Sequence, residues 1–290
     1  MPDNFNCQVL KVRDGHVARR ADQLAVEEPL AIKVDHTVDG VRCSTGLTVT
    51  MRTPGHDREL AIGFLANEGV IHDPQDIIDV QTCGDADPET GWFNTIKVEL
   101  APHVQLDLQR MERHFATHSS CGVCGKTSIA QLQTQCRSRP AAAGTQLAEG
   151  VLRQLPALMR SAQASFGQTG GLHASAMFSH AGTLLAVFED VGRHNALDKL
   201  SGHCWLEGLA HLDDNLLLVS GRLSFELVQK AVMTGFGLVA AIGPPSSLAL
   251  QLARQFDVTL VGFLNAQQFN IYHGPERISG LHEPGPSSTS

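Results

Sequence analysis

"NLLLVSGRLSFELVQKAVMTGFGLVAAIG", residues 215–243, reads as strand, helix and strand in succession. NLLLVSG and GLVAAIG are short, apolar throughout and closed by glycine. SFELVQKAVMTG between them opens on a serine and spaces its apolar residues helically. A strand that is apolar on every residue is buried on both faces, and two such strands joined by a helix run parallel.

The alternation extends in both directions. GTLLAVFED (182–190) is a strand and GRHNALDKLSGHCW (192–205) a helix; SSLALQLARQF (246–256) is a helix and VTLVGFL (258–264) a strand. The expected fold class is α/β, with a mostly parallel sheet covered on both faces. Upstream, KTSIAQLQTQC (126–136) can form a helix, and QLAEGVLRQLPALMRSAQASF (146–166) a longer amphipathic one with Pro156 as a kink. Ligands of such sheets sit beyond the carboxyl ends of the strands. Four polar or glycine-rich corners fall there: TGGLHAS (169–175), EDVGRHNALDK (189–199), SGRLSFE (220–226) and GFLNAQQFN (262–270). They are expected to converge on one cleft.

The first hundred residues have another texture. EEPLAIKV (27–34) and VRCSTGLTVTMRT (41–53) alternate apolar and polar residues about a turn at Asp39-Gly40. PGHDRELAIGFLANEGVI (54–71) spaces Leu60, Ile62, Phe64, Leu65 and Val70 as a helix, and DIIDVQTC and FNTIKVEL are two further strands. The predicted organisation is an N-terminal α+β unit over 1–102, a flexible connector over 103–125, a C-terminal α/β cofactor-binding domain over 126–278, and a disordered tail over 279–290.

Of the 290 residues, 42% are hydrophobic, ordinary for a globular chain, and no window is apolar enough to span a membrane. The start, MPDNFNCQVLKVRDG, lacks a basic-then-apolar signal pattern, so the expected location is cytoplasmic. With 22 basic and 30 acidic residues the formal charge is −8, and no Lys/Arg run offers a phosphate-backbone footprint, so nucleic acid is not an expected partner.

Seven cysteines are scattered except for one pair, Cys121 and Cys124, in HSSCGVCGK (118–126). Cys7, Cys43, Cys83, Cys136 and Cys204 read mostly as small buried hydrophobes. A structural zinc site wants four ligands and the pair supplies two, so no intrinsic zinc is expected, although His114 and His118 lie nearby. A thioredoxin-type dithiol opens a helix directly after a strand, whereas this pair ends a polar connector. A third reading is a persulfide carrier: Gly122 and Gly125 let backbone N–H groups turn toward sulfur, and Lys126 adds positive charge that favours thiolate. The pair alone leaves these readings open. Zinc deaminases place H-x-E before their cysteines; here Ala174 and Ser175 follow His173 and the cysteines come first, which argues against hydrolytic deamination.

The corners admit functional and structural readings side by side. Gly170 and Gly171 suit close approach to a phosphate, or only a tight turn. Arg193 and His194 begin a helix where anions bind well, or Glu189, Asp190 and Arg193 form an ion-pair cluster. Arg222 can clamp a phosphate bidentately, or pair with Glu226. His173 faces the cleft, or is a satisfied core histidine. Asp198 and Lys199 read as a solvated helix face, and Tyr272, the single tyrosine, as packing.

EEPLAIKVD, TPGHDRELAIGFLANEG, SSCGVCGK, TGGLHASAMF, EDVGRHNALDKL, SGRLSFELVQKA and VGFLNAQQFNIY occur in this order between about 25 and 275. Together they resemble the FdhD family of sulfur carrier proteins required for formate dehydrogenase activity. The resemblance implies a cytidine-deaminase-like three-layer C-terminal domain without its zinc, and a homodimer. It implies a sulfurtransferase in which Cys121 takes persulfide sulfur from a cysteine desulfurase, with Cys124 assisting. The sulfur passes to the molybdenum bis(molybdopterin guanine dinucleotide) cofactor, bound as acceptor, before insertion into the catalytic subunit of formate dehydrogenase. The family's cofactor segment maps to Phe263, Leu264, Asn265, Ala266, Gln267 and Gln268. Asn265 and Gln268 stand where the family has basic residues, and their amides can hydrogen-bond a guanine edge instead. The alternatives are a cofactor-binding chaperone without covalent sulfur chemistry, and a Cys121–Cys124 disulfide acting as a redox switch.

Overall fold

The structure is a computed structural model that describes residues 4–107, 146–209, 212 and 214–281. The connector end carrying the cysteine pair, the helix expected over 126–136 and most of the tail lie outside these residues.

Two hairpins open the chain. β1 (Asn4–Arg13) and β2 (His16–Ala25) form a two-stranded ribbon; β3 (Glu28–Val38) and β4 (Val41–Arg52) pair antiparallel. Asp14-Gly15 and Asp39-Gly40 turn them, with positive φ at both residues of each pair, the geometry that matches the twist of the flanking strands. α1 (Asp57–Asn67) follows, then β5 (Ile77–Thr82) and β6 (Thr95–Leu100). The sheet order is β4-β3-β6-β5, with β3 and β6 parallel. Alternate residues Leu30, Ile32 and Val34 of β3 and Ile96, Val98 and Leu100 of β6 face α1, whose Leu60, Ile62 and Leu65 complete this core. The expected α+β unit is present.

The stretch 146–166 is not one helix. β7 (Leu147–Ala148) leads into α2 (Glu149–Leu152), α3 (Leu155–Ala162) and α4 (Ala164–Thr169). Pro156 lacks an N–H and is tolerated only in a first turn, so the break falls just before it and α3 begins there. Gln163, at ψ 84, interrupts the chain a second time.

Then come β8 (His173–Ser179), β9 (Leu184–Asp190), α5 (Arg193–Leu206), β10 (Asn215–Val219), α6 (Phe225–Thr234), β11 (Leu238–Ala241), α7 (Ser247–Phe256), β12 (Thr259–Gly262) and β13 (Asn270–His273). A short β14 (Ile278–Ser279) pairs with β7. The six-stranded order is β13-β12-β11-β10-β8-β9. The expectation of a mostly parallel sheet needs correcting: β10–β11 and β11–β12 are parallel, and the other three pairings are antiparallel. The four strands recognised by their alternation with helices, β9 to β12, do run in one direction. β8 and β13, read as corners, run against them. β8 is the first arm of a hairpin with β9 and inserts between β9 and β10.

Three layers result. Leu197, Leu200, Leu227, Val228, Leu252 and Phe256 of α5, α6 and α7 cover one sheet face; Leu152, Leu155 and Met159 of α2 and α3 cover the other. The two units join where α1 crosses α5. A Cβ on Gly63 would stand 1.8 Å from the Asp198 carbonyl oxygen, and one on Gly202 would stand 1.8 Å from the Glu59 carbonyl oxygen. Only glycine at both places lets the two backbones touch. No helix among the described residues is long and apolar enough to cross a membrane.

Candidate functional site

The strand directions place five chain segments on one edge. The carboxyl ends of β9, β10, β11 and β12 point there, and β8, running backwards, begins there with His173. Backbone contacts run along this edge. Gly243 N–H donates to the Gly221 carbonyl at 3.0 Å, and Phe263 N–H donates to the Gly243 carbonyl at 3.2 Å. His173 pairs in register with Asp190, and a Cβ on Gly221 would meet the His173 ring at 3.5 Å. Phe263 holds φ +55, a left-handed conformation a branchless residue would adopt more easily.

α5 and α6 start on this edge, and neither receives a side-chain cap at its first turn. The amino-terminal ends of the two helices give the edge positive potential. Arg193 begins α5, and Arg222 lies at the end of β10. Neither forms an ion pair among the described residues, so the expected Arg222–Glu226 pair is absent there. Two buried hydroxyl oxygens lack partners on the same edge: Ser224, the residue before α6, and Ser175, two residues beyond His173 on the same face of β8.

The acidic neighbours of Arg193 are already engaged. Asp190 is fully buried; its carboxylate pairs with Lys199 at 2.8 Å and accepts from Thr53 N–H at 3.1 Å, Gly192 N–H at 2.8 Å and Asn195 Nδ2 at 3.2 Å. Asn195 also donates to the Met51 carbonyl at 2.7 Å. Glu189 accepts from the N–H groups of Ser165 and Phe166 and so caps α4. The expected cluster of Glu189, Asp190 and Arg193 is therefore corrected: Lys199 takes the place of Arg193.

Lys199 and Asp198 are not a solvated face; they are 1% and 2% exposed. Asp198 accepts from Lys230 Nζ at 2.7 and 2.9 Å and from Asn67 at 2.7 Å. Nothing in the sequence signals these partners, because Thr53 and Asn67 are more than a hundred residues away. The buried pairs fix where α5 begins and therefore where Arg193 stands.

His173 is half-buried. Burial, and then the Arg193 guanidinium, push its ring below the ordinary histidine range; Asp190 pulls weakly the other way. The lowering favours the neutral ring.

The remaining candidates sit as follows. Gly170 has φ +67 and closes α4, and Gly171 has only the Ala25 side chain near its Cβ position, at 3.9 Å. Arg193 and His194 line a cavity of about 590 Å³ between the two units, with Glu68, Glu226 and Lys230. Gln267 and Gln268 are exposed and line a different cavity of about 560 Å³ with Arg153 and Phe269. Among the described residues the corners share one edge but are spread over more than one cavity. Leu264 is fully buried in the core, and Ala266 is exposed. Asn265 Oδ1 accepts from Gln267 N–H at 2.9 Å and Gln268 N–H at 3.0 Å, while Nδ2 donates to the Phe263 carbonyl at 3.2 Å. Its amide is thus largely consumed in holding its own turn. Tyr272 packs on the core, as expected.

Cys121 and Cys124 lie outside the described residues. Of the other cysteines described, Cys204 is buried, and its thiol is pushed up to about 12 by that burial. Cys7, Cys43 and Cys83 are partly exposed, which corrects the reading of the scattered cysteines as mostly buried.

Comparison with known proteins adds a family. The model of the FdhD/NarQ family matches residues 25–279. A protein of Streptomyces avermitilis named sulfur carrier protein FdhD is 43% identical over 274 residues, 94% of each chain. Its namesake from Mycobacterium tuberculosis is 44% identical over 91% of this chain and 94% of its own, and that of Thermoplasma acidophilum 40% identical over 92% and 90%. A crystal structure described as a formate dehydrogenase accessory protein, from Desulfotalea psychrophila, superposes with a TM-score of 0.70 at 23% identity. It covers 96% of this chain and all of its own.

Proposed function

This chain belongs to the FdhD/NarQ family, and on that premise we propose that it is a sulfur carrier serving formate dehydrogenase. The observation that carries the reading is near full-length similarity to relatives named sulfur carriers, in a chain with one closely spaced thiol pair. Cys121 is the carrier. Its thiolate attacks the outer sulfur of a cysteine desulfurase persulfide; the donor S–S bond breaks, the donor cysteine leaves as thiolate, and Cys121 holds the sulfur as a persulfide. Electrons balance without an oxidant. Cys124 assists release. Its thiolate attacks the inner sulfur of the Cys121 persulfide, frees hydrosulfide for the acceptor, and leaves a Cys121–Cys124 disulfide that a dithiol reductant resets.

The acceptor is the molybdenum bis(molybdopterin guanine dinucleotide) cofactor, a substrate here and not a resident group. The sheet edge supports this acceptor class. Arg193 and Arg222, without acidic partners among the described residues, two helix starts without side-chain caps and the orphan hydroxyls of Ser175 and Ser224 make it receptive to phosphate. Gln267 and Gln268 are exposed amides beyond β12, two strands from β10. The working form is a cytoplasmic homodimer.

The test is label transfer. With 35S-cysteine, a desulfurase and cofactor-loaded acceptor, radiolabel passes to the cofactor through the wild-type chain and not through Cys121→Ala. If Cys121→Ala still activates formate dehydrogenase fully, the protein is a cofactor chaperone and the sulfur route is wrong.

A further inference from the structure

The edge holds an imidazole within reach of one guanidinium. In sheet order β10, β8 and β9 are neighbours, so His173 at the start of β8 lies between the chain segments leaving β10 and β9, and Arg193 on the second of these acts on its ring. Asp190 is the register partner of His173, and the ring lies over Gly221, whose Cβ position is 3.5 Å from its Nδ1. We propose that His173 is a proton-linked contact for the acceptor, so that a phosphate diester seated at this corner binds together with one proton taken up by the imidazole. The inference rests on the reading of this edge as the acceptor's phosphate site.

The charges around the ring explain the coupling. On β9, Asp190 is committed to Lys199, to the N–H groups of Thr53 and Gly192 and to the Asn195 amide within the interior, so it offers the ring little. From α5, Arg193 repels a protonated ring, and burial adds to the repulsion. No other charged group acts on the ring among the described residues. An arriving phosphate reverses the balance. Its negative charge neutralises Arg193 and attracts an imidazolium, so the bound state favours the proton that the empty state rejects. No covalent bond forms or breaks: solvent supplies the proton, and the ring holds it while the anion is bound. Because the bound complex carries more protons than the free partners, affinity falls as pH rises through the neutral range.

Calorimetry with diguanosine pyrophosphate tests this. Each of its phosphates is disubstituted, with one ester and one anhydride link and no second proton to lose, so the ligand itself does not titrate near neutrality. Titrations at one pH in buffers of different ionisation enthalpy report the protons taken up. The expected result is an uptake approaching one proton per ligand, with affinity falling toward tenfold per pH unit, between the free-state and bound-state titrations of the ring. His173→Gln should still bind, with no proton uptake and a flat pH profile. Buffer-independent heats in the wild type, or unchanged uptake in His173→Gln, overturn the proposal. If the wild type binds no diguanosine pyrophosphate at any pH, the phosphate-site reading falls with it. Persulfide loading of Cys121 is measured separately and does not depend on either.

Discussion

Lys230 carries its charge into the interface between the two units. Burial pulls the ammonium toward the neutral form, and the carboxylates of Asp198 and Glu68 more than reverse that, so it stays charged. A buried pair of this kind is costly to break because the survivor is left desolvated. Lys230→Met should therefore lower stability by about 3–5 kcal/mol, read by denaturant unfolding. The Lys230→Met, Asp198→Leu double variant should recover much of the loss. A single variant as stable as wild type would show that Asp198 is not dependent on this partner. A second residue-level prediction concerns thiols. With its thiol near 12, Cys204 should resist alkylation at pH 8 in the folded protein and react only on unfolding. These charged residues were illegible in the sequence for a reason of context. Asp198 and Lys199 look like one exposed face of an isolated helix, but α1 covers that face, and a local pattern carries no trace of a helix 130 residues away in the chain.

The α1–α5 crossing is the element on which the two-unit arrangement turns. Alanine normally stabilises a helix relative to glycine by about 1 kcal/mol. At Gly202 the sign reverses, because the added methyl meets backbone and backbone cannot rotate away. Gly202→Ala should cost at least 1–3 kcal/mol and lower the melting temperature. Gly150→Ala, where the new Cβ has nothing within 4 Å, should be neutral or slightly stabilising. Equal melting temperatures for the two variants would contradict the close crossing. At this scale, much of the α/β sheet could be read. Continuous apolar runs marked β9 to β12 and their helices because burial on both faces leaves that signature. β8 and β13 were hidden: His173 and Asn270 open them with polar residues, and antiparallel insertion leaves no mark in the helix–strand alternation. The apparent long helix over 146–166 failed for backbone reasons at Pro156 and Gln163, which the apolar periodicity does not register.

Over the whole molecule, carboxylates tie distant segments and set the acid limit of stability. Asp76 is largely buried, which raises its carboxyl, but the N–H groups of His72 and Asp73 and the His103 ring outweigh burial and leave it below the usual range. A carboxyl depressed in the folded state contributes stability that is present above its unfolded value and lost as pH falls through the folded one. Unfolding free energy should therefore decline below about pH 4, and Asp76→Asn should make that decline shallower while lowering stability at pH 7. An unchanged acid slope in the variant would remove Asp76 from this role. At the same scale, the corners read along the chain share one edge of the sheet but are spread over more than one cavity. The carboxyl ends of four strands, Arg193, Arg222 and His173 lie along that edge, while the cysteine pair lies outside the described residues. The most direct test of the sulfur-carrier reading is intact mass spectrometry with peptide mapping after incubation with a cysteine desulfurase and L-cysteine. The expected result is one added sulfur atom on the peptide containing Cys121, lost on mild reduction and absent from Cys121→Ala. No added sulfur on Cys121 or Cys124, with the desulfurase shown to be active, would contradict it.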